Sequence, residues 1–275
     1  MLNSLKNGHE IRFFSKFGIQ KLLVRKIVLI LLLLLVSLPG LAKKRADHYF
    51  YYKAQPAANR GWIIMLPGMS GMSVFKDSTF YKQFADSMSK QGFDVILIDY
   101  KTFYKRSRIY DKPNGTPGEK IAWAVYRVLE LAVQRNQIDT AASGRLMSWS
   151  LGGEGIAVLV DDQSFVNKYH IAQAASYYPP NIFNTKYRSK VPMIILTGAS
   201  DNVTSAETLQ KTAEGDELVK VFVYENSYHG FDIPSLTPRK YKRVPAFIGK
   251  KFIFEYNPKA AAESRAELRN FFLPA

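Results

Sequence analysis

The chain of 275 residues contains no cysteine. That excludes disulfides, thiolate metal sites and a cysteine nucleophile, and it leaves no thiol for lipid attachment behind an export signal. Histidine is nearly as scarce, with four copies, so a histidine base must be His9, His48, His170 or His229. Acidic residues are outnumbered, 23 against 38 basic, for a formal net charge of +15. The most apolar stretch, Ile27 to Ala42, is interrupted by Pro39-Gly40 and counts sixteen residues, short of the roughly 20 that a membrane-spanning helix needs. Internal repeats, low-complexity linkers and nucleic-acid-binding motifs are also missing, so the basic balance gives no reason to expect DNA or RNA as a partner.

What precedes and follows that apolar stretch gives it a meaning. Lys6, Arg12, Lys16, Lys21, Arg25 and Lys26 lie before it, and Gly40 and Ala42 close it with small residues. A basic region, an apolar region and a small-residue site form an export signal, here cut after Ala42. The expectation is a periplasmic or secreted protein whose mature part, residues 43–275, is a single domain. The alternative is an uncleaved signal, residues 27–42 then being the only membrane contact and holding the domain outside the inner membrane. A chain without cysteine folds in an oxidising compartment with no risk of mispairing. Residues 1–42 hold six basic residues and one acidic, so +10 of the charge stays with the rest.

From residue 46 onward apolar runs alternate with amphipathic stretches. Tyr49–Tyr52, Trp62–Leu66, Val95–Tyr100, Arg145–Trp149, His170–Tyr178, Met193–Thr197 and Val219–Tyr224 read as strands. Thr79–Lys90, a segment opened by Pro117, Leu151–Val160, Ser205–Thr212 and Pro258–Phe272 have helical spacing. Alternating strands and helices predict a mostly parallel sheet covered on both faces, an α/β fold. In such sheets ligands bind beyond the carboxyl ends of the strands.

Residues 147–155, Met-Ser-Trp-Ser-Leu-Gly-Gly-Glu-Gly, sit at such an end. They nearly fit the G-x-S-x-G nucleophile elbow, in which a serine occupies a strained strand-to-helix turn and its neighbours must be small. Ser148 stands at the first glycine position and Gly152 at the second, making Ser150 the candidate nucleophile. A serine needs a base. Of the four histidines only His229 is both downstream of Ser150 and directly after a strand; His9 falls in the signal, His48 near the mature N-terminus, and His170 at the opposite edge. The acid expected between them is Asp201, on the turn after Met193–Thr197, where it would orient the imidazole. Asp232 is too close to His229 along the chain and reads as a brace for that loop; Asp161 and Asp162 end a helix on the wrong side. The oxyanion donors are the N–H of Leu151, after the nucleophile, and that of Met69, with Ser70 as the alternative, in the loop Leu66-Pro67-Gly68-Met69-Ser70-Gly71.

With these residues in place the chain resembles the α/β-hydrolases, and more narrowly the dienelactone hydrolase family, over roughly residues 60–273. The resemblance rests on Leu-Pro-Gly after the early strand, Ser-Trp-Ser-Leu-Gly-Gly at the elbow, Ser-Tyr-Tyr-Pro, Leu-Thr-Gly-Ala-Ser-Asp, Tyr-His-Gly-Phe-Asp and a final helix ending in Phe-Phe. It implies an α/β-hydrolase fold with a largely parallel sheet of about eight strands, and hydrolysis through a covalent acyl-enzyme without a cofactor. This chain departs from the name-giving enzymes in its serine, where they use cysteine, in its export signal, and in Ser148.

The resulting expectation is an exported serine hydrolase acting on a small ester or lactone. A peptidase or thioesterase would use the same triad, and a binding protein could retain the scaffold without catalysis. Two basic clusters, Lys101–Arg108 and Arg239–Lys251, are expected to overlook the mouth of the site. Lys105, Arg106, Arg239 and Lys240 would there draw in an anionic substrate; the plainer reading is a solvated surface.

Overall fold

The computed structural model describes residues 48–55, 60–106, 112–180, 187–243 and 250–273. Residues 1–42, expected to form an export signal, Arg108 and the tip of the second basic cluster, residues 244–249, lie outside them. Strands β1 (Tyr49–Tyr52), β2 (Trp62–Leu66), β3 (Asp94–Ile98), β4 (Gly144–Trp149), β5 (Ile171–Tyr177), β6 (Met193–Gly198) and β7 (Val219–Tyr224) form one sheet in the order β1-β3-β2-β4-β5-β6-β7. Only β1 is antiparallel to its neighbour; every pairing from β3 through β7 is parallel. This sheet has seven strands among the described residues, against the eight or so implied by the family resemblance. A separate hairpin, β8 (Lys240–Arg243) and β9 (Lys251–Phe254), was not expected from the sequence.

The helices are α1 (Phe80–Ser89), α2 (Tyr100–Arg106), α3 (Pro117–Gln134), α4 (Gly152–Asp161), α5 (Gln163–Lys168), α6 (Ala206–Ala213) and α7 (Pro258–Phe272). They cover both faces of the sheet, and the central strands are apolar on both sides as a result. In β2, Trp62, Ile64 and Leu66 join the core beneath α3, α4 and α6, while Ile63 and Met65 point to the core beneath α1 and α7. All five are buried, and each fully buried aliphatic side chain contributes roughly 1.5–3 kcal/mol relative to exposure. Among the described residues no helix is long and apolar enough to cross a membrane.

Helix ends follow local chemistry. Thr116 and Glu119 form a reciprocal capping box at the start of α3, with Pro117 in its first turn. Asn257 caps α7 by accepting from the N–H groups of Lys259 and Ala260. At Tyr100 the sequence reading needs correction. It extended β3 to that residue, but the strand ends two residues earlier, at Ile98, and the Asp99 carboxylate accepts the Thr102 N–H at 3.2 Å, which turns the chain into α2 at Tyr100.

Candidate active site

The site assembles at the carboxyl edge of the sheet from the ends of four strands. β4 delivers Ser150, β2 the loop Pro67–Gly71, β6 Asp201 and β7 His229. Ser150 sits in the left-handed region, φ +46°, a strained conformation for a residue with a side chain. Its N–H is held by the Tyr177 carbonyl at 2.9 Å and its carbonyl by the Gly153 N–H at 2.8 Å. The tight turn depends on Gly152, where a Cβ would come within 2.6 Å of the Leu66 carbonyl oxygen and 2.8 Å of that of Pro67. On the other side of the serine no glycine is needed. Ser148 is fully buried, and its hydroxyl pairs with that of Ser176 on β5 at 2.8 Å.

A chain of hydrogen bonds starts at this serine. Ser150 Oγ lies 3.0 Å from His229 Nε2, and His229 Nδ1 lies 2.8 Å from Asp201 Oδ2. The other Asp201 oxygen accepts the N–H groups of Val203 and Thr204 at 2.8 and 3.1 Å. A carboxylate held by two amides presents its remaining oxygen in a fixed direction, and an Nδ1–H donated to it leaves Nε2 free to accept a proton. His229 is only 4% exposed. Its ring packs against Tyr178 at 4.4 Å and edge-on against Phe254 at 5.4 Å. His170, at the opposite end of β5, bonds the Thr140 carbonyl through Nδ1 and takes no part in this arrangement.

The Leu151 and Met69 N–H groups meet no acceptor among the described residues, and both residues line the cavity beside Ser150. Two tyrosines fix the loop that carries Met69. Tyr81 Oη accepts the Gly68 N–H at 3.1 Å, and Tyr100 Oη donates to the Gly68 carbonyl at 3.2 Å. In a trans peptide the C=O and the next N–H point in opposite directions, so holding the Gly68 carbonyl sets the direction of the Met69 N–H. Lys101 Nζ adds a bond to the Met69 carbonyl at 2.8 Å.

Asp232 makes no hydrogen bond to the His229 ring among the described residues. Fully buried, it accepts from Trp149 Nε1 at 2.8 Å and Tyr178 Oη at 2.6 Å. It thereby ties the residue before Ser150 to the ring that packs on His229. Burial pushes its pKa up, and the hydrogen bonds from Tyr178 and Trp149 and the Arg265 charge oppose that rise. Asp162 caps α5 and accepts the Tyr126 hydroxyl.

The cavity in front of Ser150 measures about 760 Å³. Val74, Phe75, Ile233, Leu236, Phe252 and Phe254 give it apolar walls. Its cations are not those expected from the sequence. Lys105 and Arg106 end α2 as exposed side chains and do not reach it. Arg239 is paired with Glu255 at 2.6 Å and lies over the Tyr228 ring, while Lys240 also stands outside the lining. Instead Lys242 of β8 and Lys250, just before β9, line the cavity. A strand alternates its side chains between two faces, so residues 240 and 242 share a face while only the latter reaches the opening. The hairpin is fastened over the acid turn by Asn202, which bonds the Lys251 carbonyl and the Ile253 N–H. A signal for this hairpin was available in the alternating Lys-Tyr-Lys-Arg and Lys-Phe-Ile-Phe, but such short runs are weak strand indicators. Among the described residues no group of three or more histidine and acidic side chains is arranged to hold a metal.

The family model of the dienelactone hydrolase family matches residues 47–275. The chain belongs to that family. It is a hydrolase on an α/β-hydrolase fold. Solved structures share the fold at low sequence identity. A Klebsiella pneumoniae subsp. pneumoniae MGH 78578 protein assigned as a dienelactone hydrolase superposes with a TM-score of 0.59 at 12% identity, covering 82% of this chain and 92% of its own. A dienelactone hydrolase-like promiscuous phosphotriesterase from metagenomic libraries gives 0.57 at 13%, covering 82% and 90%. Esterase 2 of Thermogutta terrifontis, phosphorylated by paraoxon, gives 0.52 at 19%, covering 82% and 87%. No curated protein matches the sequence of this hydrolase.

Proposed function

We propose that this hydrolase cleaves a small carboxylic ester or lactone through an acyl-enzyme on Ser150. The observation that carries the reading is the unbroken chain Ser150 Oγ–His229 Nε2–His229 Nδ1–Asp201 Oδ2 opening onto the cavity. Ser150 Oγ attacks the carbonyl carbon as its proton passes to His229 Nε2, and Asp201 stabilises the imidazolium. The carbonyl oxygen, now negative, takes hydrogen bonds from the Leu151 and Met69 N–H groups. Being next to the first turn of α4, the Leu151 amide also shares in the positive end of the helix dipole. His229 then protonates the departing alkoxide, and a water activated by the same nitrogen releases the acid. Every step moves protons between residues of this chain, substrate and water, so the chemistry needs no cofactor.

A fluorophosphonate probe tests this assignment. It should label the native protein, and the label should disappear in Ser150→Ala; a native protein that does not react, or a Ser150→Ala variant that still does, refutes it. Paraoxon, which phosphorylates the Thermogutta terrifontis esterase, offers a second reagent. A panel of matched esters, thioesters and amides separates the ester reading from thioesterase and peptidase activity.

The reading extends to the charge of the substrate and the site of action. Lys242 and Lys250 line a largely apolar cavity, and neither has a carboxylate partner among the described residues. They favour a substrate with an anionic group away from the scissile bond. kcat/KM for an anionic ester should exceed that for its neutral isostere, the gap should narrow with salt as the Debye length shortens, and Lys242→Gln with Lys250→Gln should abolish it. The basic and apolar character of residues 1–42 favours export with cleavage after Ala42. Mature protein should begin at Lys43, whereas membrane-bound protein retaining residues 1–42 would identify an anchor.

A further inference from the structure

Among the described residues nothing accepts the hydroxyl hydrogen of Tyr81. Its side chain is 3% exposed and its ring is fixed edge-on against Phe80 at 5.1 Å and Trp149 at 5.1 Å. The oxygen accepts the Gly68 N–H. A phenol has one hydrogen to give besides the lone pairs with which it accepts, and no described residue takes that hydrogen. A buried donor left unsatisfied is costly, so the position is informative. Tyr81 lines the same cavity as Ser150.

Gly68 shows how near the two are. The point where a Gly68 Cβ would stand is 3.2 Å from Ser150 Cβ and 3.5 Å from Tyr81 Oη. Because residue 68 has no side chain, the space between the hydroxyl and the serine is open. The peptide unit that follows Gly68 supplies the Met69 N–H. Burial raises the Tyr81 pKa well above that of an ordinary phenol, which keeps the group an O–H donor across the working pH range.

We infer that the Tyr81 hydroxyl is a third donor to the oxyanion, acting with the Leu151 and Met69 N–H groups; this rests on Ser150 being the nucleophile. The phenol keeps its proton throughout, giving a hydrogen bond that strengthens as negative charge gathers on the substrate oxygen. Such a bond is made to the transition state more than to the bound ester, so it acts on kcat rather than KM. An N–H accepted from Gly68 also polarises the phenol and makes it a better donor.

Tyr81→Phe should lower kcat by about 10²-fold, the scale for one lost oxyanion donor, with KM changed little. That variant also removes the acceptor for Gly68 N–H, so a second measurement is needed. Difluorotyrosine placed at position 81 keeps the shape but is a stronger acid and a poorer acceptor. A donor role holds kcat near or above wild type at neutral pH and adds an alkaline descending limb to the pH profile, which moves to lower pH as more fluorine is added. A role limited to holding Gly68 gives no such limb. The inference is overturned if Tyr81→Phe stays within about threefold of wild type in kcat, or if the fluorinated proteins keep the wild-type pH profile. Fluorophosphonate labelling of each variant separates the two readings. Loss of labelling at Ser150 in the wild type defeats the proposed function itself, whereas intact labelling with an unmoved pH profile defeats only the role of Tyr81.

Discussion

Replacing Asp232 by alanine should be one of the most damaging single changes outside the reacting groups. The carboxylate is fully buried and accepts from Trp149 Nε1 and Tyr178 Oη. Alanine strands both donors, at about 1–3 kcal/mol each, and leaves a small cavity that adds to the loss. Removing a carboxylate whose pKa burial has raised returns part of this, because the buried charge was itself costly. The expected net loss is on the order of 2–5 kcal/mol, read by urea denaturation followed through tryptophan fluorescence. Asparagine keeps one acceptor and removes the charge, so it should cost less than half as much. Activity should follow, since Tyr178 packs on the His229 ring and Trp149 precedes Ser150. The pH dependence has a definite sign. With the folded pKa raised from its ordinary 3.8, the protonated form is favoured in the folded state. Its contribution is therefore present below the ordinary value and lost as pH rises through the folded one. The stability of wild type relative to Asp232→Asn should accordingly fall as pH rises through that window. An alanine variant less than about 1 kcal/mol below wild type, or an asparagine variant worse than alanine, would refute the bracing role of this carboxylate.

Three further outcomes are expected. His229→Ala should lower turnover by several orders of magnitude because base and nucleophile act as a unit, while His170→Ala should cost at most a few-fold; steady-state kinetics with equal losses would identify the wrong histidine. Gly152→Ala drives a methyl group to within 2.6 Å of the Leu66 carbonyl, and should cost about 1–3 kcal/mol in thermal or chemical unfolding together with kcat, since it separates the elbow from the Met69 loop. Ser148→Gly restores the usual glycine of the elbow yet strands the buried Ser176 hydroxyl, so it should destabilise by about 1–3 kcal/mol. Adding Ser176→Ala should recover most of that loss, and a double variant no more stable than the single one would show that the hydroxyl pair is not the cause.

The sequence by itself determined the α/β class, the position of nearly every strand in the main sheet and the order Ser150, Asp201, His229. It could do so because buried parallel strands must be apolar on both faces, as in Trp62–Leu66, and because a tight strand-to-helix turn needs small residues beside Ser150. Residues near one another along the chain were legible, such as Pro117 at a helix start. The tertiary structure decided what depends on side chains meeting across the fold. Asp232 reads from sequence as a brace, but its partners Trp149 and Tyr178 lie 83 and 54 residues away. Tyr81 looks from its helical spacing like any core aromatic, and only the arrival of Gly68 from β2 gives its hydroxyl a direction. The basic clusters show the limit most plainly. Charge counting located a cationic segment at 239–251, but the Glu255 partner and the placement of the hairpin decided that Lys242 and Lys250 line the cavity while Arg239 is paired and Lys240, on the same strand face as Lys242, stays outside it. Charge is a property of composition, whereas the direction a charge faces is set by backbone pairing over distances that no local pattern records.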